Sequence, residues 1–302
     1  MATTTSPARK VIVRVKGGLG NQLFAYAAAF RLAYKNGCEL VVDDRSGFAR
    51  DRLYRRRCGL SHFAITARYA TAAERLEPME RVRRAVEKAW ARFRPFEKRR
   101  YLEEESPTFD SRLLSRRVAR SVVLDGLWQS EGYFKDVESA IRGELQIIAP
   151  KDPDNLHCGA EIEAGESVGV HIRGFDRGGA NSLKLGMEYY RAALAQVERV
   201  APNARFFLFS DETEMVQKLM AMIGRRATAV VHNHQPGCDY ADMWLMERCR
   251  TIVIANSTFS WWAAWLSERA GRTVIAPHAR HLGATPWGRH FTEMMPPQWV
   301  RA

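Results

Sequence analysis

The sequence predicts an α/β protein in two domains, and three observations carry that prediction. The chain opens on a β-branched run that breaks into glycines and then into an Ala- and Leu-rich stretch, which reads as a β-loop-α-β beginning. Past residue 155, short apolar runs alternate with helical patterns at regular spacing, as they do in a parallel sheet covered by helices. A chain of 302 residues is long enough for two cores of ordinary size.

In the opening unit, RKVIVRVKGGLGNQLFAYAAAFRLAYKNGCELVVDD, residues 9–15 suit a strand. Glycines 17, 18 and 20 interrupt it, Asn21 can cap the following helix, and Gly37 suits that helix's left-handed stop. Residues 38–42 then resume a strand. Residues 50–120 are strongly basic and mostly helical in pattern. Within them RVRRAVEKAWARFRPFEKRR, 81–100, sets Val82, Val86, Trp90 and Phe93 on one face. Two readings stand: a surface helix packing that stripe on its own domain, or a basic amphipathic helix in peripheral contact with anionic lipid. The segment PKDPDN, 150–155, marks the expected boundary between a 1–150 domain and a 151–302 domain. Beyond it, strands are expected at 167–172, 204–209, 227–232, 251–255 and 273–276. Helices are expected at 187–200, 213–223, 240–249 and 258–270.

Composition narrows the class of protein. A hydrophobic share of 46% excludes a disordered chain. Lys and Arg outnumber Asp and Glu by 46 to 34, a net charge of +12, which suits phosphorylated small molecules, nucleic acid or an anionic membrane surface. No nucleic-acid-reading motif accompanies the charge, so no nucleic-acid partner is expected. Five cysteines without CxxC spacing read as reduced thiols with no zinc framework. The polar start MATTTSPARK does not resemble a secretory signal, and no run approaches 18 apolar residues. A cytoplasmic protein is expected, with 81–100 available for peripheral contact with the inner membrane.

Ligands of such sheets bind beyond the carboxyl ends of the strands, so polar residues there carry the most information. The second half has four such ends: His171, Arg173 and Asp176; Ser210 and Asp211; His232 and His234; and Asn256, Ser257 and Thr258. Arg173 is a fixed cation with a planar fork suited to a diphosphate, and His171 faces the same side of the strand. Asp176 is an acceptor, a base, or the salt-bridge partner of Arg173. IVIANSTFSWWAAWLS puts small polar residues at a strand-to-helix junction, which suits phosphate; simple helix capping by Ser257 or Thr258 accounts for them equally. Trp261, Trp262 and Trp265 read as packing.

In the first half, GGLGNQ fails the dinucleotide fingerprint because Leu23 stands where a third glycine belongs. What remains is a loop that lets a ligand approach the backbone, with Asn21 and Gln22 as amide readers. HNH at 232–234 lacks a third ligand at a clear spacing, so no metal is expected.

These residues resemble the bacterial α-1,2-fucosyltransferases of glycosyltransferase family eleven. GGLGNQLFAYA (17–27), LWQSEGYF (127–134), VHIRGFD (170–176), FFLFSDE (206–212) and DMWLMERCRTIVIANSTFSWWAAWL (242–266) follow the order of that family's motifs. The resemblance implies a GT-B-like fold, two Rossmann-like doubly wound domains facing across a cleft. It implies inverting transfer of L-fucose from GDP-fucose to a hydroxyl of a galactose-containing acceptor, free or lipid-linked, without metal or cofactor. On matching positions, Arg173 would hold the diphosphate, His171 would lie near the nucleotide and Asp211 by the guanosine. Asn256, Ser257, Thr258 and Ser260 would hold phosphate and fucose, while Gly18, Gly20 and Asn21 would close from the opposite domain. Asp176 is the first candidate for the acceptor base and His171 the second. The family's HxRRxD motif has a second arginine where this chain has Gly174. That departure leaves two alternatives: transfer of another nucleotide-linked deoxysugar, or a non-catalytic GDP- or glycan-binding descendant.

Overall fold

The computed structural model describes residues 9–174, 184–267, 271–283 and 285–302. The chain divides into two units, Met1–Gln146 and Ile147–Ala302, each built on its own sheet.

The first unit runs β1 (Lys10–Arg14), α1 (Leu19–Asn36), β2 (Glu39–Asp43), β3 (Arg68–Tyr69), α2 (Glu80–Arg92), β4 (Tyr101–Glu103), β5 (Val122–Asp125) and α3 (Glu138–Glu144). All its strand pairings are parallel, in the order β3-β2-β1-β5-β4. Val11, Val13, Val41 and Leu124 are fully buried in it beside Leu23, Phe24 and Ala27 of α1. Helix α1 stops at Gly37, whose φ of 57° is the left-handed geometry glycine tolerates best. Its start departs from expectation: Gly18 is the cap residue, and Asn21 lies inside the first turn.

Residues 50–120 are not mostly helical. Their only α-helix is α2, joined by short strands and 3-10 turns. Arg, Ala and Leu give this region helical propensity, but Pro78, Pro95 and Pro107 interrupt it. The stripe of α2 does not pack on its own unit either. Val82, Val86, Trp90 and Phe93 are 57, 49, 62 and 85% exposed, while Arg84 and Ala91 are buried.

The second unit runs α4 (Pro153–Glu163), β6 (Ser167–Ile172), α5 (Met187–Val200), β7 (Arg205–Ser210), α6 (Thr213–Ile223), β8 (Ala227–Val230), α7 (Asp239–Met246) and β9 (Thr251–Val253). It ends with α8 (Thr258–Leu266), β10 (Thr273–Ala276), α9 (Ala279–Leu282), α10 (Pro286–Glu293) and β11 (Val300–Arg301). Its six strands pair in parallel in the order β11-β10-β9-β6-β7-β8. Numbered within the unit this is 6-5-4-1-2-3, the Rossmann order, which reverses between β6 and β9. Every residue of β6 is buried, as expected of a central parallel strand. Trp261 and Trp262 are fully buried with rings 5.2 Å apart, so they pack the core.

The segment PKDPDN is more than a linker. Asp152 caps α4 by accepting from the backbone N–H of Asn155 at 2.9 Å, and Pro153 takes the first helical position, a normal helix start. No helix among the described residues is long and apolar enough to cross a membrane.

Candidate active site

Three neighbouring strands, β9, β6 and β7, end side by side at the switch point of the second unit. His171 stands near the end of β6 and is only 5% exposed. Its carbonyl accepts from the Tyr190 hydroxyl at 3.3 Å, and its ring lies 5.4 Å from that of Phe259 on α8. Nδ1 of His171 is buried without a hydrogen-bond partner among the described residues. Burial, aided by the neighbouring Arg173 charge, pushes the His171 pKa down to about 3. The ring is therefore neutral around pH 7, able to donate or accept but not to act as a cation.

Arg173 lies just beyond β6 with Nη1 2.8 Å from Oδ2 of Asp211, which follows β7. The N–H of Gly174 donates to Oδ1 of the same carboxylate at 3.4 Å. Two of the expected donor-site residues thus form an ion pair at adjacent strand ends. A Cβ on Gly174 would meet Glu212 at 3.0 Å from Oε2 and 3.1 Å from Cβ. Glu212 in turn pairs with Lys184. Glutamate therefore crowds the position beside Arg173, which here carries glycine. Asp176, with its neighbours Phe175 and Arg177, lies outside the described residues.

At the third strand end, Ser257 caps α8 by accepting from the N–H of Phe259 at 3.3 Å. Ser260 Oγ accepts from the N–H of Ala255 at 3.2 Å and donates to the Ser257 carbonyl at 3.4 Å. Asn256 and Ser260 are fully buried, and Thr258 is half-buried at the helix start. These serines shape the junction as well as lining it. The turn lies against β6, on the side where His171 meets Phe259.

The glycine loop belongs to the first unit. Gly17 has φ of 78°, and a Cβ there would meet Nδ2 of Asn21 at 2.9 Å. Gln22 is buried; its amide donates to the carbonyls of Gly17 and Arg57 at 3.0 Å each and accepts from the N–H of Gly59 at 2.8 Å. Gln22 is thus committed to holding the loop rather than presented as an amide reader. Asn21 accepts from Gln129 at 2.7 Å, joining the loop to the segment after β5, while Gly20 is buried in the first turn.

One charged cluster was missed at the sequence level. Buried Asp125, at the end of β5, is 2.9 Å from Lys16, 3.2 Å from Arg14 and 3.2 Å from Lys88, and accepts from the Tyr101 hydroxyl at 2.5 Å. Burial raises its pKa, but Lys16 and Arg14 outweigh that and hold the carboxyl below its ordinary range. Beside it Glu104 accepts from the N–H groups of Leu127 and Trp128 at 2.7 and 2.8 Å, while burial pushes its pKa up. The signal was an acid ending or following each of two apolar runs, Asp125 in VVLD and Glu104 after YLE.

In HNH, His232 is half-buried and His234 is exposed. His232 Nε2 is 3.0 Å from Oδ1 of Asn155, and buried Asn233 bonds to Asn155 and Asp242. No group of three or more His, Cys, Asp or Glu among the described residues is placed to hold a metal ion.

Two Rossmann-like parallel-sheet units in succession make a GT-B-like fold. Residues 10–282 match the family model described as Glycosyl transferase family 11, and the chain belongs to that family. It is therefore a glycosyltransferase. Among its relatives, the Alpha-1,2-colitosyltransferase of Escherichia coli is 28% identical, over 96% of this chain and 98% of its own. The O-antigen biosynthesis glycosyltransferase WbnK of Escherichia coli is 30% identical, over 89% of this chain and 94% of its own. In fold the chain resembles fucosyltransferase NodZ from Bradyrhizobium, with a TM-score of 0.52 at 19% identity over 85% of this chain and 92% of that one.

Proposed function

We propose that this chain moves L-fucose from GDP-fucose to a hydroxyl of a galactose-containing glycan, with inversion and in α-1,2 linkage. The observation that carries the reading is the meeting of Arg173, Asp211, neutral His171 and the start of α8 at one switch point. Such a point is where open parallel sheets bind nucleotides. The acceptor oxygen bonds to the anomeric carbon as the bond from that carbon to the diphosphate oxygen breaks, and the electron pair leaves with GDP. The acceptor proton passes to Asp176, our assigned base. Negative charge grows on the diphosphate, so Arg173 and the N–H groups opening α8 supply the main stabilisation, without metal. Asp211 exchanges its arginine partner for guanine N–H groups when the nucleotide binds, which releases the guanidinium for the diphosphate. Asn256, Thr258 and the Ser257–Ser260 turn hold phosphate and sugar.

The colitosyl transfer named for one relative favours a second reading, the same site with another deoxyhexose donor. GDP release is measured with GDP-fucose and with the colitosyl donor, each with and without a simple galactoside. Acceptor-dependent release from GDP-fucose is the expected result. Release from the colitosyl donor alone would select the second reading. Release from neither, with GDP still bound, would mark a non-catalytic binding protein.

A further inference from the structure

Helix α2 is turned inside out. Positions 82, 86, 90 and 93 fall on one side of a helix, and positions 84, 88 and 91 on the other. In a surface helix the apolar side ordinarily faces the core. Here the side facing the first unit is charged: Arg84 approaches Asp43 at 3.8 Å, and Lys88 reaches Asp125 at 3.2 Å and also pairs with Glu103. Rotating the helix to bury its apolar stripe would remove these cations from buried Asp43 and Asp125, a costly exchange. The orientation is therefore fixed from within, and the apolar stripe stays outside. Met79, 65% exposed, extends the stripe at the start of the helix.

The rim of the stripe is as distinctive as its centre. Arg81, Arg83, Arg92 and Arg94 are all exposed around it. Residues 81–100 contain nine Lys or Arg and two Asp or Glu, a net charge of +7. Pairing with a second copy would set basic rim against basic rim, a like-charge juxtaposition that suppresses association. A surface carrying negative charge beside an apolar layer satisfies both parts of the face. Tryptophan and phenylalanine suit the headgroup boundary, and arginine stems lie along apolar surface while their heads reach phosphate.

We propose that this face of α2 docks on an anionic lipid bilayer, with Trp90 and Phe93 entering the headgroup boundary and the arginine rim contacting lipid phosphates. The docking goes beyond the transfer chemistry and is independent of it. Its test is co-sedimentation of the full chain with vesicles of phosphatidylcholine alone and of phosphatidylcholine mixed with phosphatidylglycerol. Binding is expected only to the mixed vesicles. It should fall when salt rises from about 0.1 to about 1 M, which shortens the screening length from about 10 to about 3 Å. Trp90→Ser with Phe93→Ser should weaken binding at least about tenfold. Replacing Arg81, Arg83, Arg92 and Arg94 by Gln should weaken it about fivefold per charge removed. These side chains are exposed, so the variants should keep the parent melting temperature. Absence of binding to the mixed vesicles, or binding that both variants leave unchanged, overturns the proposal. So does a dimer in sedimentation velocity that the Trp90→Ser, Phe93→Ser variant dissolves, since the face would then belong to a second copy.

Discussion

Arg173 is the residue on which the chemistry rests. Its ion pair with Asp211 is a third to a half exposed, and such pairs contribute about 0–1 kcal/mol to stability. Arg173→Ala should therefore melt within a few degrees of the parent while losing about 10²–10³-fold in turnover; thermal melts beside initial rates check both halves. His171 gives a pH signature. Its pKa falls from an ordinary 6.5 to about 3 in the folded chain, so the unfolded chain binds the extra proton between those values. Stability should thus rise with pH through that window, by about 1.4 kcal/mol per unit at most. Denaturant midpoints measured across the window should show a shallower slope in His171→Gln. The same shift means that His171 cannot supply an ionisation between pH 6 and 8. Gly174 is explained by its neighbour: Gly174→Ala should cost about 1–3 kcal/mol through crowding, recovered when Glu212→Ala is added. The role of Arg173 was legible from its place at a strand end. Its partner and the crowding by Glu212 were not, because both are contacts between separate strands.

Among the elements, those of the second unit were the most legible. β6, β10, α5 and α6 occupy the expected ranges, because continuous apolar runs bounded by turns leave little choice of state. α4 was not legible because a Pro- and Asp-rich segment suits a domain boundary as well as a helix start, and here Asp152 and Pro153 are the cap and first position of a helix. Asp152→Ala should cost more than the about 1 kcal/mol of a lost helix cap, read as a lower denaturant midpoint, since the same carboxylate orients Asn155, which bonds to Asn233. In α2 the period was legible but the inward face was not. Periodicity shows that a helix has two faces; Asp43 and Asp125, distant in sequence, decide which of them turns inward.

At the scale of the molecule, two parallel sheets divide one chain; the alternation of strands and helices announced the second, while of the first only β1, α1 and β2 were legible. The region between β2 and β5 was the exception, since prolines and short strands replace regular helices there. If the second unit binds the nucleotide, GDP at about 100 times its dissociation constant should stabilise the fold by about 2.7 kcal/mol. Calorimetric scans should show that gain shrinking in Arg173→Ala. The central claim, transfer from a guanosine-diphosphate sugar at the β6–β9 switch, is tested most directly by the product itself. Wild-type protein and Arg173→Ala are incubated with GDP-fucose and a simple galactoside, and any new linkage is read by NMR. The account predicts fucose attached to the galactose 2-hydroxyl with inverted anomeric configuration, formed by the wild type and almost absent from the variant. A product of retained configuration, or equal yield from Arg173→Ala, would contradict it.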